Sequence, residues 1–516
     1  MNFVLRFISV VLNCLNVIVA PILWLKYRGP RKTVPTISDG LLKISATDSA
    51  EKIRRREISS EQLCTAYIKR IKEVNPILNA VVEDRFEIAL QDARNVDNYL
   101  QTSFESNEEL EKTKPLLGVP LTVKESCSLG GMSLCVGTLS RSGIKADKDG
   151  DAVAKLKSSG AIPLLVSNTP EICLDWQTSN FITGRTNNPY DTSRTTGGSS
   201  GGEGALLGSG ASVIGIGSDV AGSIRLPAMF NCVFGHKPTP RTISIKGHFP
   251  YCIDKKYADY LVVGPMTRYS KDLKLMMKVM TDDAVLPELR LDDKVDISKI
   301  RVFFMEEEGK SFVLPHVQKE ISAAVRQSAE YLKNTCGCHV VDDVKFSELK
   351  NSCEVSGSVL NSLKDTPNLL KAGNHNLAVE LLKSVLGFSN FTFGLLHFYL
   401  IQNVYQTFIQ SDSYMQKNED LKKMFRKFLG DDGVLLYPTF TKSALHHGAY
   451  ILNTLGTSYL MTYNSTELPS THVPCGFDKN GLPIGIQVIA GPKQDRLCFA
   501  VAEELEKCFG GWIPPN

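Results

Sequence analysis

Three serines and one lysine carry the chemistry that this sequence could perform. Ser199 and Ser200 stand in "TGGSSGGEG" (196–204), and Ser223 stands in "GSDVAGSIRLP" (217–227). The first run matches the nucleophile pattern G-x-S-x-G twice, centred on Ser199 and on Ser200. Such an elbow follows an apolar strand, yet the residues before it are the polar "NNPYDTSRTT". The run also fails as a phosphate cradle, because Glu203 sits in the neighbourhood where a P-loop places lysine. Gly215 and Gly217 fail as a dinucleotide fingerprint, because the third glycine comes only at Gly222. Ser223 reads differently, since it closes an apolar run. A turn over Val220, Ala221, Gly222 and Ser223 would aim successive N–H groups at one point, as an oxyanion requires. None of the nine histidines has a convincing setting as a base. The candidate is Lys124, at the end of "GVPLTVK" and on the same strand face as Thr122. A lysine acts as a base only when neutral, a form that burial or a cationic neighbour favours.

The elements that must position these groups alternate. "LLGVPLTVKES" (116–126), "AIPLLVSNT" (161–169), "ASVIGIGSD" (211–219) and "GLPIGIQVIAG" (481–491) are short apolar runs bounded by Gly and Pro, the pattern of buried strands. Helical spacing appears over most of 39–99, then at 153–159, 272–281 and 495–508. The alternation predicts an α/β fold with a largely parallel or mixed sheet. Residues 376–410, rich in Phe, Leu and Tyr, read either as a pair of core helices or as an apolar cap exposing Phe388, Phe391 and Phe393.

The chain has 516 residues, 43% hydrophobic and 22% charged, which excludes wholesale disorder. Its net charge of +3 is dispersed, and no basic, aromatic-interleaved patch points to nucleic acid. The 13 cysteines are odd in number and lack metal-ligand spacing, which argues against a zinc site and for mostly reduced thiols. The N-terminus is apolar and uncharged from 7 to 25, just long enough to cross a bilayer core. Trp24 and Tyr27 suit an interfacial anchor, and Lys26, Arg28, Arg31 and Lys32 follow at once, against Arg6 before it. No A-x-A-like cleavage site follows. Asn13, Asn16 and Pro21 leave room for an in-plane anchor instead of a spanning helix. The positive flank predicts a cytoplasmic body, although "NFT" at Asn390 and "NST" at Asn464 are glycosylation sequons in form.

Taken in order, "GVPLTVKES", "TTGGSSGGEGALLGSGASVIGIGSDVAGSIRLPA" and "FGHKPT" closely resemble the amidase signature hydrolases, a likeness that runs from about residue 44 onward. The resemblance implies one large domain over 33–516, with a central twisted mixed β-sheet covered by helices on both faces, behind an N-terminal anchoring segment at 1–32. It implies Ser223 as nucleophile, Ser199, after a cis peptide bond, as relay, and Lys124 as base, with no cofactor and no metal. It further implies Ser200 as an aid to the Lys124 amine, and the N–H groups of Val220, Ala221, Gly222 and Ser223 as the oxyanion loop. Asp219 and Arg225 then support that loop, and Cys173 lies on the acyl side of the site. Ala221 stands where many members have glycine, a change that matters only if this residue needs positive φ. The hydrophobic N-terminus, the wording "GGSSGGEGALLGSG" and the aromatic-rich 376–410 look like the fatty-acid amide hydrolases, type 2 branch. The expected partners are a lipid-like amide, membrane lipid and a second copy in a homodimer, at the endoplasmic reticulum or another internal membrane. The competing expectations are an amidase or esterase for other small amides or esters, and a catalytically silent membrane-tethered scaffold.

Overall fold

The computed structural model describes residues 3–308, 314–341, 346–409 and 411–515, so residues 1, 2, 410 and 516 of the expected segments lie outside the described residues. The strands are β1 (Val81–Asp84), β2 (Pro120–Lys124), β3 (Ile162–Ser167), β4 (Ser179–Asn180), β5 (Gly184–Arg185), β6 (Ile214–Asp219) and β7 (Phe234–Lys237). They continue with β8 (Val262–Thr267), β9 (Arg301–Phe304), β10 (His339–Val341), β11 (Gly433–Pro438), β12 (Ser470–Phe477) and β13 (Pro483–Ala490). Eleven of them form one sheet in the order β1-β3-β2-β6-β8-β7-β12-β13-β11-β9-β10. β2 runs parallel to both β3 and β6, and β9 parallel to β10 and β11, while the remaining pairs are antiparallel. The four apolar runs read from the sequence are β2, β3, β6 and β13, and every residue of these strands is buried. Burial on both faces explains why they read as unbroken apolar stretches instead of alternating ones.

Helices pack on the two faces of this sheet. Gly201–Gly208 lies on β2, β6 and β8, and Ser60–Leu78 also packs on β2. Ser60–Leu78 starts from a reciprocal cap: Ser59 Oγ accepts from Gln62 N–H, and the Gln62 side chain accepts from Ser59 N–H. Further along the sheet, Lys319–Asn334 and Asp495–Phe509 cover β11 to β13.

Over residues 376–409 the chain forms two α-helices, Leu377–Val385 and Phe393–Val404, and a following π-helical turn, Tyr405–Ile409. Their inner side buries Leu395, Leu396 and Tyr399, while Val385, Phe388 and Phe393 are exposed. Phe391 departs from the expectation: it is half-buried and meets His375 edge-on at 5.1 Å, so only Phe388 and Phe393 of the three face outward. The N-terminal helix Phe3–Tyr27 is long and apolar enough to cross a membrane, with a mean hydropathy of 2.2 over its best window. One stripe of it, around Leu5 and Ser9, is buried against the body, and Leu5 clusters with Cys353, Tyr405, Ile409 and Leu455. At the other end Tyr27 stacks on His446 at 4.9 Å, and between them Val10, Val17, Ile18 and Ile22 are exposed. The sequon at Asn464 is a core position with no accessible surface, which removes it as a glycan acceptor. All thirteen cysteines are free thiols.

Candidate active site

Because β2 and β6 are parallel neighbours, their C-terminal ends emerge on the same edge of the sheet, the usual place for a ligand crevice. Lys124 ends β2 and is completely buried. Its Nζ lies 2.7 Å from Ser199 Oγ, 2.9 Å from Ser218 Oγ and 3.5 Å from the Ser218 carbonyl oxygen. Among the described residues no carboxylate pairs with Lys124. Glu203 comes near on helix Gly201–Gly208; burial pushes its carboxyl up to about 7, against a hydrogen bond from Thr122 and the Lys124 charge.

The glycine-rich run brings Ser199 to this point. The Gly198–Ser199 peptide bond is cis, and helix Gly201–Gly208 starts directly after Ser200. A Cβ on Gly202 would stand 2.5 Å from the Asn168 backbone nitrogen, so the helix start presses against the chain following β3. Ser200 N–H donates to the Ser223 carbonyl oxygen at 3.1 Å, which ties the two serine segments together. Ser200, expected to aid the Lys124 amine, makes no hydrogen bond to it. Its hydroxyl points along β6 to the Ser218 backbone, at 3.4 Å from the carbonyl oxygen, and Ser218 Oγ takes the place beside Nζ.

Ser223 sits in the loop after β6, 5% exposed. Asp219 organises that loop by accepting from Gly222 N–H at 2.7 Å and Ile224 N–H at 3.1 Å. Arg225, also buried, donates to both Asp219 oxygens at 3.1 and 3.2 Å, to Gln487 at 2.9 Å and to Asn464 at 2.6 Å. Burial alone would raise the Asp219 carboxyl, but the Arg225 charge and the hydrogen bonds from Arg225, Asn464 and Gly222 hold it well below the usual range. Among the described residues the N–H groups of Val220, Ala221 and Ser223 donate to no protein acceptor. Gly222 corrects the expected donor set, since its N–H is committed to Asp219. Positive φ falls at Gly222 (+99°) and not at Ala221, so alanine fits where the family often has glycine. No hydrogen bond joins the Ser199 and Ser223 hydroxyls among the described residues.

A cavity of about 360 Å³ leads to this loop, lined there by Val220, Ala221 and Trp176 and farther out by Ile401, Leu455 and, from the N-terminal helix, Leu5. Trp176 is fixed by its indole N–H, which donates to the Ala221 carbonyl at 3.0 Å. Cys173, expected on this side, does not line the cavity. Left-handed backbone at Ile172 and Cys173 turns the chain so that Leu174 and Trp176 face the space instead.

Residues missed in the sequence are Ser218, His248, Asn464 and Gln487. Ser218 had a signal, since it lies one residue before the end of a strand whose neighbour ends in Lys124. The other three reach the site from distant segments and had none.

The amidase family model matches residues 62–499. The chain belongs to the amidase family. This amidase is an amide-hydrolysing enzyme. It is 40% identical to fatty-acid amide hydrolase 2-A of Danio rerio, over 94% of this chain and 92% of that one. It is 39% identical to fatty-acid amide hydrolase 2 of Homo sapiens, over 95% and 94%. Among solved structures, a fatty acid amide hydrolase superposes with a TM-score of 0.69 at 22% identity, covering 91% of this chain and 86% of that one. Peptide amidase from Stenotrophomonas maltophilia gives 0.70 at 21% identity, covering 92% and 98%. At these identities the structural likeness establishes the fold alone.

Proposed function

We propose that this amidase cleaves fatty-acid amides, of the N-acylethanolamine or primary-amide type, to free acid and amine at a membrane surface. The observation that carries this is the apolar cavity of about 360 Å³ that ends on Val220 and Ala221, beside Ser223. An alkyl chain gains about 0.8 kcal/mol per buried methylene in such a space. The zebrafish and human relatives, both fatty-acid amide hydrolases, support the same substrate class.

In this reading neutral Lys124 takes the proton of Ser199 as Ser199 takes that of Ser223, and Ser223 Oγ bonds to the amide carbon. The N–H groups of Val220, Ala221 and Ser223 hold the resulting oxyanion. The proton returns through Ser199 to the amide nitrogen, the C–N bond breaks and the amine leaves. Water then cleaves the acyl–Ser223 ester by the same relay. The link between Ser199 and Ser223 closes on substrate binding, as catalytic hydrogen bonds often do. The N-terminal helix anchors the enzyme in the plane of the interface: its contacts at both the Leu5 and Tyr27 ends suit a helix lying along the body.

The test uses purified full-length protein with oleoyl and butyryl amides. We expect kcat/KM to favour the oleoyl substrate strongly; equal or better turnover of the butyryl amide overturns the substrate class. A fluorophosphonate probe should label wild type and not Ser223→Ala, and an unlabelled wild type would point to a silent scaffold.

A further inference from the structure

The hydrogen bonds that orient Lys124 do not stop at Ser218; they end on His248. This residue is buried, and its segment is zipped to the chain leaving β2, with Phe249 N–H donating to the Ser126 carbonyl at 2.8 Å. His248 Nδ1 lies 3.0 Å from the Pro250 carbonyl oxygen. A carbonyl only accepts, so Nδ1 carries the proton and the neutral ring presents a lone pair at Nε2. That lone pair lies 2.9 Å from Ser218 Oγ, which must donate to it. A hydroxyl has one proton, so toward Lys124 Nζ, at 2.9 Å, Ser218 Oγ can only accept. One N–H of the amine is thereby turned to Ser218 Oγ and the other toward the Ser218 carbonyl at 3.5 Å. In the neutral amine that the proposed base role requires, what remains is the lone pair, facing Ser199 Oγ at 2.7 Å.

We propose that His248 is a positioning residue of the reaction, which through Ser218 aims the lone pair of Lys124 at Ser199. The inference rests on the roles of Lys124, Ser199 and Ser223 proposed above. Burial drives His248 down to about 3, so the ring stays neutral across the working range and the polarity of the chain does not reverse. Cys127, which bridges His248 across the two segments, is pushed up to about 12 by burial and stays a neutral thiol. His248→Phe keeps a ring but removes both nitrogens, which frees the Ser218 proton to turn onto the amine and occupy its lone pair. His248→Gln retains an oxygen that accepts from Ser218 and an N–H that donates to Pro250.

The experiment measures the inactivation rate constant and the binding constant for a fluorophosphonate on full-length enzyme, from acid to alkaline pH, normalised to folded protein. His248→Phe should slow inactivation by about tenfold to a hundredfold, within the range of general-base contributions, with probe binding unchanged and the acid limb of the pH profile displaced. His248→Gln should restore most of the rate. Ser218→Ala should lose a similar factor, and adding His248→Phe to it should change nothing further. If His248→Phe does not fold, the Ser218→Ala and His248→Gln arms decide. The proposal falls if His248→Phe reacts as fast as wild type, if Ser218→Ala does, or if the two effects add independently. Labelling of Ser223→Ala, or none of wild type, would instead refute the roles on which it rests.

Discussion

Replacing Arg225 with methionine tests how the nucleophile loop is held. The guanidinium is buried and its hydrogen bonds reach Asp219, Gln487, Asn464 and the Leu460 carbonyl. Methionine fills much of the volume but leaves Asp219 as an uncompensated buried carboxylate, which costs about 3–5 kcal/mol. Unfolding entropy of about 2.1 cal/mol/K per residue over the 516 residues converts that to a fall in Tm of about 3–5 °C. The pH dependence is more discriminating. In the wild type the folded-state pKa of Asp219 is depressed, so its contribution is present above the unfolded value near 3.9 and is lost as pH falls through the folded value. In Arg225→Met burial acts without the cation, and the folded pKa rises above the unfolded one. The variant is then penalised as pH rises from the unfolded value through the folded one, so its deficit should be largest near neutrality and shrink toward pH ~5. Adding Asp219→Asn should recover part of the Tm, since removing both charges costs less than removing one. Melting curves of the three variants across this range are the assay. A deficit that is constant with pH, or a double variant no more stable than Arg225→Met, refutes the account. Activity should fall about a hundredfold, as expected for displacement of a reacting group by an ångström.

Gly222→Ala should lose fluorophosphonate labelling, because φ is +99° there and a Cβ would stand 2.4 Å from Leu460 Cδ1, whereas Ala221→Gly should label nearly as wild type. Ile401→Trp, which fills the cavity, should lower kcat/KM for the oleoyl amide by about fourfold for each methylene it excludes and leave the butyryl amide untouched. Lys124→Ala should lose activity most severely near neutral pH, measured with either amide; unchanged activity there removes the lysine from the mechanism. Deleting residues 1–32 should move much of the protein from the membrane to the soluble fraction, with Phe388 and Phe393 retaining some. A truncated protein as firmly bound as the full chain would assign anchoring elsewhere.

What was legible in the sequence follows from where each signal is stored. β2, β3, β6 and β13 could be read because burial on both faces leaves a continuous apolar run that one segment carries by itself. Lys124 and Ser223 could be read for a related reason: each closes or follows such a run, and parallel neighbours deliver both to one edge. "TGGSSGGEG" was conspicuous, but its glycines explain contacts and not chemistry. Gly202 is there because backbone lies 2.5 Å from where its Cβ would be, a fact held by the segment it meets. The same limit hid the oxyanion detail, since nothing in "DVAGS" says that Asp219 takes the Gly222 N–H and leaves three donors. It turned Asn464 from a sequon into a ligand of Arg225, because a tripeptide pattern contains no information about burial. It hid His248 most completely. A histidine 30 positions beyond Ser218 acquires meaning only through the Pro250 carbonyl that fixes its tautomer and the serine that passes this choice to the lysine. Hydrogen-bond polarity is a property of a closed chain of partners, and three of the four partners here come from different strands or loops. A base can therefore be recognised from one strand, while the direction in which it points is decided by the assembled fold.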